Sequence, residues 1–201
     1  MSWIHTIPYT EADAALKKIY DRIKGSDDNV DNVLLIHSLR PHTLKGHMAL
    51  YKSVLHNSQN QLPKWYLEAV GTYVSHLNAC DYCFDHHYAG LSRLLKEQGA
   101  AERCKKAILE GALDDYFEGP YLLGCQYARL LTLEHRTITK EHIDEMRAGG
   151  FSDGEILELN QLVSYFNYVN RTVLGLGVTT EGDVLGLSPN DSNDPNNWSH
   201  H

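Results

Sequence analysis

Two cysteines, a histidine and a glutamate share one short window of this chain. Cys80 and Cys83 are separated by two residues, His87 follows Cys83 by four positions, and Glu68 lies eleven intervening residues before Cys80. In a reducing compartment a C-x-x-C pair more often serves metal or redox chemistry than a structural bridge. Thiol redox chemistry needs the thiolate, which a helix N-terminus and a nearby imidazole both favour. The window therefore predicts a reactive thiol pair.

Helical geometry predicts that the thiols and the imidazole lie close together. At about 100° per residue, Cys80, Cys83 and His87 fall within roughly 60° of one another around one helix. The same geometry separates the two cysteine Cα atoms by about 5 Å, within the range that a disulfide accepts. Three other polar residues of this window are expected to point away from the thiols, namely Tyr82, Asp85 and His86.

Helix geometry leaves the identity of the attacking thiol open. Cys80 is closer to the expected helix N-terminus, whereas Cys83 and His87 form an i, i+4 pair whose side chains meet. Glu68 precedes a break at Asn78, so it reaches His87 only if two consecutive helices pack side by side. In that arrangement the carboxylate would orient the imidazole or relay a proton.

The pattern along the chain predicts an all-α fold. Asn78 is expected to cap a helix that runs from Cys80 to about Leu95, and Thr139 and Ser152 are expected to begin two later helices. We expect one helical domain over residues 1–181 and a polar tail over residues 182–201 with little to bury, loosely ordered or laid over a neighbouring subunit. A short sequence similarity between residues 74–80 and 163–169 raises the hypothesis of two pseudo-repeated helical halves.

Composition argues against several classes of partner. The chain has 201 residues, 42% of them hydrophobic, with 18 basic against 26 acidic residues and a formal charge of −8. That charge repels phosphate backbones, so nucleic acid is not an expected partner. Apolar stretches fall far short of the roughly 20 residues that cross a bilayer, and the N-terminus lacks a signal-peptide pattern. We expect a cytoplasmic protein that does not bind membranes.

The window resembles the alkylhydroperoxidase D and carboxymuconolactone decarboxylase-like superfamily, whose redox members carry Glu-x11-Cys-x2-Cys-x3-His. Every spacing of that motif is matched here. Residues 150–159 and 165–171 also look like the peroxidase-related branch, so the resemblance covers most of residues 40–178. One position departs from the prototype peroxidase, which has a histidine between its cysteines where this chain has Tyr82.

The resemblance implies a helical fold of the alkylhydroperoxidase D type and a role for each motif residue. Cys83 would attack a hydroperoxide, Cys80 would resolve the sulfenic acid to a disulfide, His87 would be the base, and Glu68 would join a proton relay. No nucleotide fingerprint is present and no cofactor is expected, so a protein or small-molecule thiol would reset the disulfide. In the prototype that reductant is a dihydrolipoyl protein. The resemblance also implies a homo-oligomer, with a hexamer favoured.

Other interpretations remain open at this point. Cys80, Cys83, His87 and Glu68 could hold zinc, although three ligands on two turns of one helix give poor tetrahedral geometry. A decarboxylase-type enzyme would use His87 or Glu68 without the thiols, and a redox sensor would use the disulfide as a switch without rapid turnover. The remaining cysteines, Cys104 and Cys125, are expected to pack in the core. The aromatic cluster of the last long helix is expected in the core or at a subunit interface, and it contains Tyr165, Phe166 and Tyr168.

Overall fold

The computed structural model describes residues 1–25, 28–194 and 196–199. Within these residues the chain forms nine α-helices and no β-strand, which confirms the predicted all-α fold. The helices are α1 Ala14–Tyr20, α2 Asn32–Leu35, α3 Pro41–Leu55, α4 Lys64–Leu77, α5 Asp81–Leu94, α6 Ala100–Glu110, α7 Gly119–Leu133, α8 Lys140–Ala148 and α9 Asp153–Gly175. Short 3₁₀ turns occur at Tyr9–Glu11, Leu113–Asp115 and His135–Thr137. No described helix is long and apolar enough to span a bilayer.

Helix α4 lies at the centre of the main core. It packs against α3, α5, α6, α7 and α9, and every residue from 66 to 75 is buried. Small residues in this stretch allow close approach of its neighbours. At Gly71 an added Cβ would overlap the ring of Phe166 on α9, so the two helices need glycine at this crossing.

The caps of the later helices follow the sequence signals. Ser152 accepts a hydrogen bond from the Glu155 backbone N–H at 3.2 Å, and the Glu155 carboxylate accepts one from the Ser152 N–H at 2.8 Å. This capping box begins α9 as predicted, and Thr139 caps α8 in the same way with His142 at the third position.

A second, smaller hydrophobic cluster joins α1 to the start of α3. It contains Leu16, Tyr20, Leu44 and Met48, together with Trp198 from the C-terminal segment. Trp198 is buried, and the Arg22 guanidinium lies 3.7 Å from the centre of its ring. The expectation that residues 182–201 have little to bury is therefore wrong at this residue, because the segment returns over the chain's own surface.

Candidate active site

The two cysteines lie at the junction between α4 and α5. Asn78 is the C-cap of α4, directly after its last residue Leu77, and not the N-cap of α5, because α4 ends in a Schellman motif. The Cys80 N–H donates to the Ser75 carbonyl at 2.9 Å, and the Ala79 N–H donates to the His76 carbonyl at 2.9 Å. Ala79 has a φ of 53°, the left-handed conformation that glycine usually supplies at this position.

This junction puts Cys80 just outside the helix. Cys80 occupies the N-cap position of α5 with φ −98° and ψ 85°, while Cys83 lies in the first turn. The helix expected to start at Cys80 therefore begins one residue later, at Asp81. The two sulfur atoms are nevertheless 2.7 Å apart, and both cysteines are free and buried.

Glu68 and His87 form a buried contact between α4 and α5. The Glu68 Oε2 atom lies 2.8 Å from His87 Nδ1, and the two side chains are 3% and 13% exposed. The helices pack side by side, which is the arrangement that the sequence required but did not establish. Gly90 on α5 permits it, because a Cβ there would lie 3.2 Å from Glu68 Oε1.

Electrostatics keep Glu68 ionised despite its burial. Burial alone would raise the pKa of Glu68, but the charge of His87 and its hydrogen bond outweigh this and hold that pKa below its ordinary value of 4.5. A carboxylate on Nδ1 leaves the other imidazole nitrogen, Nε2, to exchange a proton with a third group. The pair has the arrangement of an oriented general base.

Cys83, His87 and Glu68 line one cavity of about 60 Å³ inside the protein. Cys80 does not line it and instead borders a separate surface depression with Asp85, Thr179 and Thr180. Of the two thiols and His87, only Cys83 and His87 line the same cavity. The two thiols therefore border different spaces, Cys83 the cavity and Cys80 the surface depression.

The thiols differ in acidity. The hydrogen bond with Cys83 lowers the pKa of Cys80 below its ordinary value of 9.0. Burial raises the pKa of Cys83 well above that value. Cys80 is therefore the more acidic of the two thiols, and Cys83 needs a base to give up its proton within the cavity.

Sequence reasoning missed several residues that line the cavity. Tyr82 and His86 were expected to point away from the thiols, but both line the cavity wall, and their rings stack at 4.6 Å. The expectation is wrong because the cavity is wider than one helix face, so side chains at several angles around α5 reach it. His76 packs near Phe84 outside this cavity.

Helices α3 and α9 supply an aromatic wall opposite α5. The Tyr51 and Tyr165 rings stack with centroids 5.7 Å apart, and the Tyr51 ring meets the His87 ring edge-on at 6.2 Å. Burial raises the pKa of both tyrosines well above 10.0, so their hydroxyls stay neutral. His47 lies beside Tyr165, and burial lowers its pKa to about 3. The i, i+4 spacing of His47 and Tyr51 on α3 was the available sequence signal.

The aromatic cluster of α9 divides by exposure. Tyr165 and Phe166 are buried, and the Phe166 ring packs edge-on against His87 at 4.6 Å. Tyr168 is 46% exposed, so it does not belong to the core. Among residues 1–25, 28–194 and 196–199, no three His, Cys, Asp or Glu side chains are grouped in a way that could hold a metal ion.

The fold is similar to several solved structures. It superposes on an uncharacterized peroxidase-related protein from Ralstonia eutropha JMP134, described as an alkylhydroperoxidase AhpD core, with a TM-score of 0.77 and 17% identity over 90% of this chain and 93% of that one. An uncharacterized peroxidase-related protein from Silicibacter sp. TM1040 gives a TM-score of 0.76 and 20% identity over 90% and 93% of the two chains.

A debrominase shares the same fold. A cysteine-to-alanine variant of Bmp8, in complex with 2,3,4-tribromopyrrole, matches with a TM-score of 0.66 and 14% identity over 90% of this chain and 91% of that one. No protein-family model and no curated protein sequence matches the chain. At these identities the similarities show an alkylhydroperoxidase D-like helical fold.

Proposed function

We propose that this protein is an enzyme of the alkylhydroperoxidase D-like superfamily and that it reduces hydroperoxides through a Cys80–Cys83 disulfide. The observation that carries the proposal is the geometry of one cavity. Cys83 and the Glu68–His87 pair share it, with Glu68 2.8 Å from His87, and the second sulfur lies 2.7 Å behind the first. The peroxidase-related proteins with this fold support an antioxidant activity.

The proposed first step is attack of Cys83 on the peroxide. Because burial raises the pKa of the Cys83 thiol, His87 takes its proton as the substrate enters. The thiolate then attacks the terminal oxygen of R–O–O–H, the O–O bond breaks, and the alkoxide leaves with the proton from His87 as R–OH. Cys83 becomes a sulfenic acid, two electrons more oxidised than the thiol.

The second step closes the disulfide. The Cys80 sulfur, whose pKa is lowered beside Cys83, attacks the sulfenic sulfur and expels hydroxide, which takes a proton and leaves as water. An external thiol reductant then attacks the disulfide and restores both cysteines while its own sulfurs are oxidised. Cys80 borders the depression outside the cavity, which gives such a thiol a path that does not cross the peroxide cavity.

The decisive experiment is to trap and map the sulfenic acid. Cys80→Ser and Cys83→Ser proteins are treated with one equivalent of tert-butyl hydroperoxide and a dimedone probe, and the adduct is located by mass spectrometry. We expect a stable adduct on Cys83 in Cys80→Ser and none in Cys83→Ser. An adduct on Cys80 alone would reverse the two roles, which the lower pKa of Cys80 would then explain.

The rate of oxidation separates an enzyme from a sensor. Stopped-flow oxidation of the reduced protein should be faster than that of free cysteine by at least about 10²-fold, because a positioned base assists the attack. Oxidation no faster than that of free cysteine would overturn the peroxidase proposal. A disulfide that switches a surface without turnover would remain compatible with such a result.

A second candidate function is thiol-dependent dehalogenation of an aromatic substrate. The debrominase of the same fold and the aromatic rings of Tyr51, Tyr165 and His47 that line the cavity favour it. Two thiols would replace carbon-bound bromine with hydrogen, releasing bromide and a proton as the disulfide forms. Bromide release from 2,3,4-tribromopyrrole in the presence of dithiothreitol would support this activity, and release equal to that of Cys83→Ser protein would exclude it.

We also propose that the protein forms a homo-oligomer, with a hexamer favoured. Large apolar side chains remain exposed on several helices, namely Leu109, Leu133, Leu157, Tyr168 and Leu174. Such side chains are common at interfaces between subunits. Light scattering at micromolar concentration should give about six times the 22.8 kDa mass of one chain for the hexamer, and at least twice that mass for any oligomer. A monomeric mass would contradict the proposal.

A further inference from the structure

The C-terminal segment forms one wall of the thiol cavity. Gly186, Leu187, Ser188 and Pro189 line the same space as Cys83 and His87. These residues lie about a hundred positions beyond the C-x-x-C motif and outside the helical part of the chain. This part of the cavity wall therefore comes from a segment without secondary structure that packs against the thiol-bearing helix α5.

A buried carboxylate anchors the start of this segment to the thiol-bearing helix. The Asp183 side chain is 2% exposed and accepts a hydrogen bond from Tyr82 Oη at 2.6 Å. It also accepts one from the Asn32 backbone N–H at 3.0 Å, and it lies 3.3 Å from His86 Nε2. Three partners on two elements hold a buried charge that would otherwise be costly.

Close backbone contact fixes the middle of the segment. Arg93 of α5 donates to the Leu185 carbonyl at 2.7 Å and also to the Gly186 carbonyl. Gly186 has a φ of 77°, and a Cβ there would lie 3.0 Å from the Cβ of Ala89. Glycine is required for both reasons, since the segment turns in a left-handed conformation directly against α5.

The far end is held by charged groups of α3 and α4. Lys52 Nζ, fully buried, donates to the Asn190 backbone carbonyl and lies 3.2 Å from the Asn190 side-chain oxygen. Asp191 pairs with Lys64, and His56 lies 3.6 Å from the same carboxylate. The segment is therefore anchored on both sides of Leu187.

We infer that Leu187 determines the substrate size that the thiol cavity accepts, as a specificity residue of the proposed peroxide reduction. The inference rests on that proposed function and extends it. The cavity, at about 60 Å³, suits small hydroperoxides, and Leu187 is the largest apolar side chain that the C-terminal segment contributes to it. Removing its branched end leaves the anchors untouched, because they involve Asp183, backbone carbonyls and Asn190.

The test compares Leu187→Ala with Leu185→Ala. Leu185 is two residues away, 38% exposed and outside the cavity lining, and its anchor to Arg93 uses the backbone carbonyl, which alanine retains. We measure kcat/KM for hydrogen peroxide and for cumene hydroperoxide with dithiothreitol as reductant. In Leu187→Ala the cumene-to-hydrogen peroxide ratio should rise about tenfold, the scale on which apolar pocket groups discriminate substrates. In Leu185→Ala it should stay at the wild-type value.

An unchanged ratio in Leu187→Ala, or an equal rise in both variants, would overturn the inference. A second readout does not depend on peroxide reduction. In a Cys80→Ser background, alkylation of Cys83 by N-phenylmaleimide relative to iodoacetamide should rise in Leu187→Ala and not in Leu185→Ala. If the protein does not turn over peroxide but Leu187→Ala still favours N-phenylmaleimide, the proposed function is wrong and the size limit set by Leu187 still holds. Loss of the labelling difference would sink the size limit.

The Asp183→Asn variant tests whether the anchored C-terminal segment restricts access to Cys83. Weakening the anchor should speed labelling of Cys83 by both reagents to a similar extent, whereas Leu187→Ala should favour the larger reagent. The matched control is Glu181→Gln, because Glu181 is exposed and contacts Asn32 only through its backbone carbonyl. Equal labelling in Asp183→Asn and wild-type protein would contradict the anchoring role.

Discussion

The chain carries two pairs of buried cysteines that differ in their neighbouring groups. Cys80 and Cys83 are 1% and 3% exposed, and Cys104 and Cys125 are both fully buried. Burial raises the pKa of each of the latter thiols to about 12. Cys80 instead has a lowered pKa because Cys83 is its hydrogen-bond partner. All four cysteines are buried, so burial does not separate the two pairs, and we attribute thiol reactivity to the groups next to each sulfur.

The backbone explains why only one pair acquired such neighbours. Cys104 and Cys125 lie inside helices α6 and α7 and belong to the core, where Cys125 Sγ lies 4.0 Å from the Tyr66 hydroxyl. Cys80 and Cys83 follow a left-handed residue at a helix start, which brings their sulfurs together. The backbone at the start of α5 therefore brings two sulfur atoms into contact, whereas Cys104 and Cys125 lie on separate helices.

The largest expected effect compares Cys83→Ser with Cys125→Ala. Loss of the attacking sulfur should reduce kcat/KM for tert-butyl hydroperoxide by at least about 10³-fold, because a serine hydroxyl cannot form the sulfenic acid. Cys125→Ala should retain activity close to that of the wild-type protein and lower only the melting temperature. Coupled consumption of dithiothreitol measures the first effect and calorimetry the second. Comparable loss of activity in both variants would break the distinction between the pairs.

Alkylation at pH 8 should separate the pairs next. With a pKa of about 12, Cys104 and Cys125 have a thiolate fraction roughly 10³-fold below that of a thiol with the ordinary value of 9.0. Iodoacetamide should modify Cys80 first in the native, reduced protein, because its pKa is lowered and it borders the surface depression. Cys83 should follow, because it lines the cavity although burial raises its pKa. Peptide mass spectrometry reads the order, and in urea all four should react alike. Early modification of Cys104 in the native state would be inconsistent with its burial.

Glu68→Gln tests whether the reactive pair depends on its base. Without the carboxylate on Nδ1, His87 loses its orientation, and we expect kcat/KM to fall about 10²-fold with little change in KM. Glu110→Gln, an exposed carboxylate on α6, is the control for loss of charge and should be silent. A KM effect without a kcat effect would indicate substrate binding and not proton transfer.

Stability in acid gives the same residue a second signature. The folded state holds the Glu68 pKa below 4.5, so the carboxylate stabilises the fold above that pH and this contribution is lost as pH falls through the lowered pKa. The melting temperatures of wild-type and Glu68→Gln proteins should therefore converge as pH falls below 4.5. A constant difference over this range would show that His87 does not stabilise the charged form.

Much of the fold and the core of the site could be predicted from the sequence. Helical periodicity and caps such as Ser152 identify the α-helices, because each amphipathic helix carries its own signal. The motif spacing identifies Glu68 and His87 as candidates, but their 2.8 Å contact depends on packing between α4 and α5. Gly90, which allows that packing, carries no local signal of its role.

Other features could not be predicted because they depend on tertiary structure. Asn78 has the chemistry of an N-cap, yet its side chain donates to Asn167 and Asn170 of α9 at 3.1 and 2.9 Å, and the helix before it ends there. The C-terminal segment has the composition of a solvated tail. Its polar groups, Asp183 among them, are used for anchoring, so composition alone gave the wrong expectation about burial.

The smallest expected effect compares two glycines, one beside each cysteine pair. At Gly71 an added Cβ would overlap the Phe166 ring, which packs on His87 at 4.6 Å. At Gly124 it would overlap the Tyr66 hydroxyl, the group next to Cys125. Overpacking of this kind costs about 1–3 kcal/mol, so both alanine variants should lower the free energy of unfolding in urea by a similar amount.

Only Gly71→Ala should also slow peroxide reduction. Displacing Phe166 moves the His87 ring relative to Cys83, and a shift of this kind should cost about tenfold in kcat/KM, because proton transfer depends on close alignment. Gly124→Ala perturbs the surroundings of a thiol with no role in the reaction, so its kcat/KM should match that of the wild-type protein. Equal rates in the two variants, at equal loss of stability, would mean that packing around His87 is not specific to the reactive pair.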